Sequence, residues 1–402
     1  LSAAVFDQAL QGITTFGYTV LLARQFNIEE FGLFSVMWAV AFLFESCGNA
    51  LWSDSLISVQ SRFRGYSRYP VIISSTLFWS LLWSCCGTIL TAFCALLAPD
   101  RFSSPIMALG LVLIAQRLHM QIRRVFYIYS LPKFAVLISA TYFIVLIGGA
   151  YFQFYGGTVT GAVMLWAGAS LSASLVGFAL GVHPLAWPDV RTFFWTGKSL
   201  WRVGRWLMSA SVAYWLGNHG LVAITAAWLT VEEAGILRAY QNLFTPLIQI
   251  IAALFVALLP YVAARIRFAG FSTIPRSSLI GALVFGGASV CYCSALYAAA
   301  PIAVPILYAK PSLMEFSWLL VPLAAVTIAD AIRQGLSFGP VASGRTQVVF
   351  WGRMVGVFVL LGTVFFLAST KGVLGVAWAM AASSFCVTLT FLLGVLRLRS
   401  KT

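Results

Sequence analysis

Apolar runs of about twenty residues recur from one end of this chain to the other, and no other feature constrains the fold as tightly. At the helical rise of about 1.5 Å per residue, each run is long enough to cross a hydrocarbon core of roughly 30 Å. Backbone N–H and C=O groups in lipid must be satisfied within the protein, which leaves helices or closed barrels. The runs are continuous and do not alternate with a period of two, so a barrel is excluded. Composition agrees: 61% of the 402 residues are hydrophobic and 9% are charged, against about a quarter charged in a soluble domain. The expected fold class is an all-α polytopic membrane protein.

The hydropathy pattern predicts about twelve spans, at 3–25, 31–58, 70–97, 105–129, 134–153, 159–182, 205–229, 236–263, 278–300, 315–340, 348–369 and 373–396. Connections are short, so no soluble domain is expected. A net charge of +14 raises nucleic acid as a partner, but the bases sit in small clusters at span ends and form no basic domain. Membrane lipids are the expected surroundings, with no nucleic acid.

Eighteen of the Lys and Arg residues fall on one side of this topology. They are Arg62, Arg64, Arg68, Arg123, Arg124, Lys133, Arg191, Lys198, Arg202, Arg205, Arg265, Arg267, Arg276, Arg345, Arg353, Arg397, Arg399 and Lys401. Only Arg24, Arg101, Lys310 and Lys371 mark the other. The positive-inside rule therefore places both termini in the cytoplasm. No cleavable signal peptide is visible, and the chain begins at Leu1 without Met, which leaves room for a short cytoplasmic leader.

The longest connection, 183–204, carries Arg191, Lys198, Arg202 and Arg205 on one helical face, with Phe194 and Trp201 among the apolar remainder. That pattern predicts an interfacial helix on the anionic cytoplasmic leaflet. A solvated linker between two halves is the plainer reading.

The chain also repeats. Ile28-Glu-Glu-Phe-Gly-Leu-Phe34 is answered by Val231-Glu-Glu-Ala-Gly-Ile-Leu237, an offset of 203. Gly65-Tyr-Ser-Arg-Tyr-Pro70 is answered by Gly270-Phe-Ser-Thr-Ile-Pro275, offset 205, and Gly161-Ala-Val-Met-Leu-Trp-Ala167 by Gly375-Val-Ala-Trp-Ala-Met-Ala381, offset 214. Six spans per half is an even number, so both halves enter the bilayer in the same direction, as a parallel repeat. The expected organisation is a six-helix lobe at 1–182, a linker helix at 183–204 and a second six-helix lobe at 205–402.

Ionisable groups inside spans cost on the order of 3 kcal/mol or more and so face a cavity or a partner. Span four carries Gln116, His119 and Arg123 at helical spacing, beside Arg117, Gln121 and Arg124; span ten carries Asp330, Arg333, Gln334 and Ser337. Span two offers Glu45, Asn49 and Ser53 with Asp54 just beyond. Span eight runs Arg238, Asn242, Thr245 and Gln249 along one stripe, and span one runs Asp7, Gln11, Thr14 and Tyr18. These stripes read as a cavity wall or as hydrogen-bonding seams between helices. The Asp330–Arg333 spacing also suits a structural i,i+3 pair, and Asp7, near a span end, can simply be wet.

No G-x-S-x-G, H-E-x-x-H or P-loop pattern occurs, so neither an enzyme nor an ATP-driven engine is expected. The seven cysteines all lie in apolar runs without metal-ligand spacing, and no metal, disulfide or cofactor is expected.

Ala23-Arg24 followed by Glu30-Phe-Gly-Leu-Phe34, and Ala234-Gly-Ile-Leu-Arg-Ala-Tyr-Gln-Asn242 running on to Leu259-Pro260, resemble the oligosaccharide-lipid flippases. These are the Wzx-type polysaccharide transporters of the multidrug/oligosaccharidyl-lipid/polysaccharide exporter (MOP) superfamily. The resemblance covers nearly the whole chain through short motifs. It implies two MATE-like six-helix lobes forming a V that alternates its opening. It also implies an undecaprenyl-diphosphate-linked oligosaccharide as cargo, moved to the periplasmic leaflet of the bacterial inner membrane during O-antigen, capsule or exopolysaccharide assembly. A polysaccharide polymerase and a chain-length regulator would then be partners.

A lipid diphosphate calls for cations, which Arg117, Arg238, Arg333, Arg124 and His119 could supply, and a sugar for Tyr240, Gln241 and Asn242. Glu45, Asp54, Asp330 and Asp7 are the candidates for ion coupling. Many relatives carry an Asp-Arg-like pair in span seven, where this chain reads Gly217-Asn-His-Gly220. The alternatives are a cation-coupled multidrug and toxin extrusion antiporter, whose cavity should be acidic, and a membrane-embedded polymerase or glycosyltransferase, which needs a sizeable catalytic loop.

Overall fold

A computed structural model describes residues 2–56, 69–129, 131–154, 156–181, 188–269, 273–342 and 347–399. The basic cluster Arg62, Arg64 and Arg68, the bases Arg345 and Lys401, and most of the Gly65–Pro70 repeat lie outside the described residues. Among those described, regular structure is helical throughout.

The helices are α1 (Ser2–Gln25), α2 (Ile28–Gly48), α3 (Tyr69–Leu97), α4 (Asp100–Ile128), α5 (Pro132–Tyr151), α6 (Val159–Ala179) and α7 (Val190–Gly217). They continue as α8 (Gly220–Trp228), α9 (Val231–Ala269), α10 (Ile274–Tyr308), α11 (Leu320–Leu336), α12 (Phe338–Ala342) and α13 (Gln347–Arg399). A π-helical turn, Asn49–Asp54, extends α2, and a 3-10 turn, Pro311–Leu319, leads into α11. Eight stretches among the described residues are long and apolar enough to cross a membrane.

Local chemistry sets the helix ends. Pro132 and Pro275 stand in first turns, where the missing N–H costs nothing. Asn27 and Glu30 form a reciprocal capping box at the start of α2: Glu30 N–H donates to Asn27 Oδ1 (2.7 Å) and Asn27 N–H to Glu30 Oε2 (3.1 Å). Thr230 caps α9 through half of the same pattern: Glu233 N–H donates to Thr230 Oγ1 at 3.1 Å, and the Thr230 hydroxyl, not its N–H, donates to Glu233 Oε2 at 3.4 Å. The repeated Glu-Glu motif is thus a repeated helix start. Gly372, with φ 56 and ψ −140, breaks α13 into the last two expected spans.

Burial is inverted relative to a soluble protein. Ile89, Leu96, Leu97, Leu283, Phe358 and Phe366 are exposed, while serines, threonines and Arg117 are buried. Lipid supplies no drive to hide leucine, so small polar residues go to the helix seams instead.

Two compact units emerge, and they do not coincide with the expected halves 1–182 and 205–402. One unit holds Ser2–Tyr18 and Val36–Trp215; the other holds Thr19–Ser35 and Leu216–Thr402. Two physical reasons account for the difference. First, α7 runs unbroken from Val190 to Gly217, so the linker and the seventh span form one element, packed on the first unit through Leu200 beside Leu51, Trp52 and Ile73. Second, the turn between α1 and α2 is fastened to the second unit. A Cβ on Gly235 would come within 3.0 Å of Gly32 N and 3.1 Å of its Cα, so the two repeat-equivalent helix starts pack backbone to backbone. Lys310 Nζ adds a donor to the Ala23 carbonyl and, at 3.3 Å, to that of Arg24, capping the end of α1.

Candidate functional site

The first unit is organised around Arg117, halfway along α4 and 2% exposed. Its Nε donates to Ser80 Oγ on α3. Nη1 donates to Asn49 Oδ1 (2.6 Å) and the Glu45 carbonyl (3.4 Å), and Nη2 to the Gly48 carbonyl (2.7 Å) and Ser53 Oγ (3.2 Å). Gln121 Nε2, one turn on, bridges the same two hydroxyls at 2.6 and 2.8 Å.

The π-helical turn makes this possible: a wider turn leaves carbonyls of α2 open to side-chain donors. Trp83 Nε1 takes the Phe44 carbonyl at 3.0 Å while Arg117 takes those of Glu45 and Gly48. Gly48 lets the guanidinium approach, since a Cβ there would stand 3.2 Å from Arg117 Cζ. The expected cationic cavity wall therefore loses Arg117. The guanidinium has no donor left for a ligand.

The adjoining cleft, lined by Ala41, Phe44, Glu45, Ser84, Gln116 and Arg117, has a free volume of about 10 Å³, room for about one water and not for a ligand. Glu45 faces it and forms no ion pair among the described residues.

Asp7 is not wet but fully buried. It pairs with Arg123 at 2.9 Å and accepts from the hydroxyls of Tyr127 and Ser139, tying α1 to α4 and α5. Asp54 is paired with Arg124. His119 is fully buried with its ring 4.6 Å from that of Tyr142, and neither ring nitrogen finds a hydrogen-bond partner.

In the second unit, Asp330 and Arg333 pair at 3.2 Å, with side chains 25% and 12% exposed. Tyr240 is buried and spends its hydroxyl on the Leu313 carbonyl at 2.6 Å, so it offers no open face to a sugar. Gln241 Nε2 points to Met380 Sδ at 3.5 Å.

Arg238 differs from all of these. It is 8% exposed, yet forms no hydrogen bond or ion pair among the described residues. One turn further, on the same face of α9, Asn242 is fully buried. Its Oδ1 accepts from Thr19 Oγ1 at 3.0 Å, and its Nδ2 donor has no partner. A cation and an amide donor thus stand together, both unspent.

Sequence reading missed the serine seam that receives Arg117. Thr76, Ser80, Ser84, Thr88 and Thr91 recur at helical spacing along α3, and small polar residues at that spacing in a span are a signal for a packed seam. It missed the Asp7–Arg123 pair because nothing in either span names the other.

No family model matches the chain, and no curated protein matches it by sequence. Solved structures do share its fold. A multidrug resistance MATE family transporter of the MOP superfamily, in its inward-facing conformation, superposes with a TM-score of 0.74 at 13% identity, over 98% of this chain and 95% of that one. The multidrug transporter DinF-BH gives 0.70 at 13% identity, over 99% and 95%. The lipid II flippase MurJ in an inward closed conformation gives 0.68 at 14% identity, over 99% and 89%. The chain shares its fold with these three proteins.

Proposed function

We propose that this chain is a membrane transporter that flips a lipid-linked oligosaccharide across the bacterial inner membrane for surface polysaccharide assembly, with both termini in the cytoplasm. The observation that carries the reading is Arg238. A base held 8% exposed without a carboxylate is costly in a bilayer unless an anion visits it. Arg123, Arg124 and Arg333 each have a carboxylate of their own. An acidic diphosphate satisfies Arg238; an organic cation does not.

The test is reconstitution into vesicles with a fluorescent prenyl-diphosphate oligosaccharide. Wild type should carry it across the bilayer, and Arg238→Gln should slow this at least tenfold with the protein still folded. Unchanged flipping by Arg238→Gln removes the reading.

A second reading, a cation-coupled multidrug antiporter, is favoured by Glu45, which faces the small cleft without an ion-pair partner among the described residues. Under it, Glu45→Gln abolishes efflux of an organic cation dye while Arg238→Gln leaves it intact.

A further inference from the structure

The first half of α7 runs across the first unit and not along it. Phe193 stacks on Trp79 at 4.7 Å, and Trp79 in turn stacks on Trp52 at 5.4 Å. Gly204, about 16 Å further along the helix by its rise, packs so close to Leu51 that a Cβ on it would stand 2.6 Å from the Leu51 carbonyl oxygen. One end of this segment therefore reaches Leu51 of the π-helical turn directly, and the other reaches Trp52 of the same turn through Trp79 of α3. Beyond Gly204 the helix climbs: Trp215 Nε1 donates to the Ala39 carbonyl at 2.7 Å, three turns higher on α2.

The inner face of the transverse segment is Thr192, Thr196, Leu200 and Gly204, all buried. Opposite it, Arg191, Lys198, Arg202 and Arg205 are exposed and fall within a stripe about 60° wide at 3.6 residues per turn. None of the four is in an ion pair among the described residues. Aromatic rings border the stripe on both edges: Phe194 (60% exposed) and Trp201 (47%) on one side, Trp195 (49%) and Trp206 (62%) on the other. Arg205 Cζ lies 5.5 Å from the Trp206 ring centre.

We infer that this face is a docking surface for anionic phospholipid headgroups. Tryptophan settles at headgroup level, bases between the rings meet phosphates at that depth, and the charge has no partner within the described residues. A folded protein partner would have to compete with lipid for a surface whose own helix continues into the membrane. The inference rests on the membrane fold alone and stands whatever the cargo is.

The test uses the full chain in vesicles of phosphatidylcholine, with either brominated phosphatidylglycerol or brominated phosphatidylcholine as the quenching minority lipid. Tryptophan emission should be quenched at least twofold more by the brominated phosphatidylglycerol, and added salt should weaken that preference. The preference should vanish in R191Q/K198Q/R202Q/R205Q and equally in W195F/W201F/W206F. Equal quenching by both lipids in wild type overturns the inference, whether or not the variants fold. So does a preference that survives the four Gln substitutions, or one abolished by millimolar inorganic phosphate, which would make the site one for the free anion.

Discussion

Arg117 and Arg238 are both arginines inside long helices, both nearly inaccessible, one in each compact unit, and they do opposite things. Arg117 has neutral acceptors from two neighbouring helices around every N–H, and a π-helical turn and a glycine shaped to receive it. Arg238 has no bonded partner among the described residues, and its neighbour Asn242 keeps an unspent donor. Burial alone does not separate a structural base from a binding one. The separation lies in whether the chain itself supplies the acceptors.

The largest effect that would sharpen this contrast is on stability at Arg117. Arg117→Ala should take the arginine donors from Asn49 and the Glu45 and Gly48 carbonyls and leave Ser53 and Ser80 with Gln121 alone, costing about 3–5 kcal/mol by analogy with broken buried networks. It should be seen as a large drop in the thermal midpoint of the purified protein. Arg117→Lys should rescue little of it, because a point charge cannot fill a five-donor fork. If Arg117→Ala unfolds no more easily than wild type, the network is not what holds α2, α3 and α4 together.

Gly235→Val comes next, at about 1–3 kcal/mol for overpacking, since its Cβ would press on the Gly32 backbone at 3.0 Å. Crosslinking efficiency between the two helix starts would report the displacement, and a retained wild-type pattern would contradict the close packing. Arg238→Gln should shift stability by less than about 1 kcal/mol, in either direction, because no hydrogen bond or ion pair among the described residues is lost. A large destabilisation there would make Arg238 a second Arg117 and erase the contrast. Smallest is Arg333→Gln, a half-open i,i+3 pair with Asp330 whose loss is worth about 0.5 kcal/mol or less.

The fold was legible because hydropathy and the Glu-Glu-x-Gly repeat are local signals, and both reappear in the structure as span-length helices and paired helix caps. The unit boundary was not. It depends on Gly32 meeting Gly235 and on Lys310 reaching the end of α1, contacts between residues some two hundred positions apart that no window of sequence contains.

The candidate site was half legible for the same reason. Sequence placed Arg117, Arg238 and Arg333 in spans as equals, and only their partners distinguish them. Ser80 and Gly48 carry no charge to draw attention, yet they decide that Arg117 is a structural residue. Tyr240 read as a sugar-facing ring and is instead a clasp on Leu313.

The most direct test of the central claim is equilibrium binding of a short-chain prenyl diphosphate to purified wild-type, Arg238→Gln and Arg333→Gln protein, each confirmed folded by its thermal midpoint. The expected result is at least a tenfold loss of affinity for Arg238→Gln, with Arg333→Gln close to wild type. Equal affinity in all three proteins would contradict an anion site at Arg238.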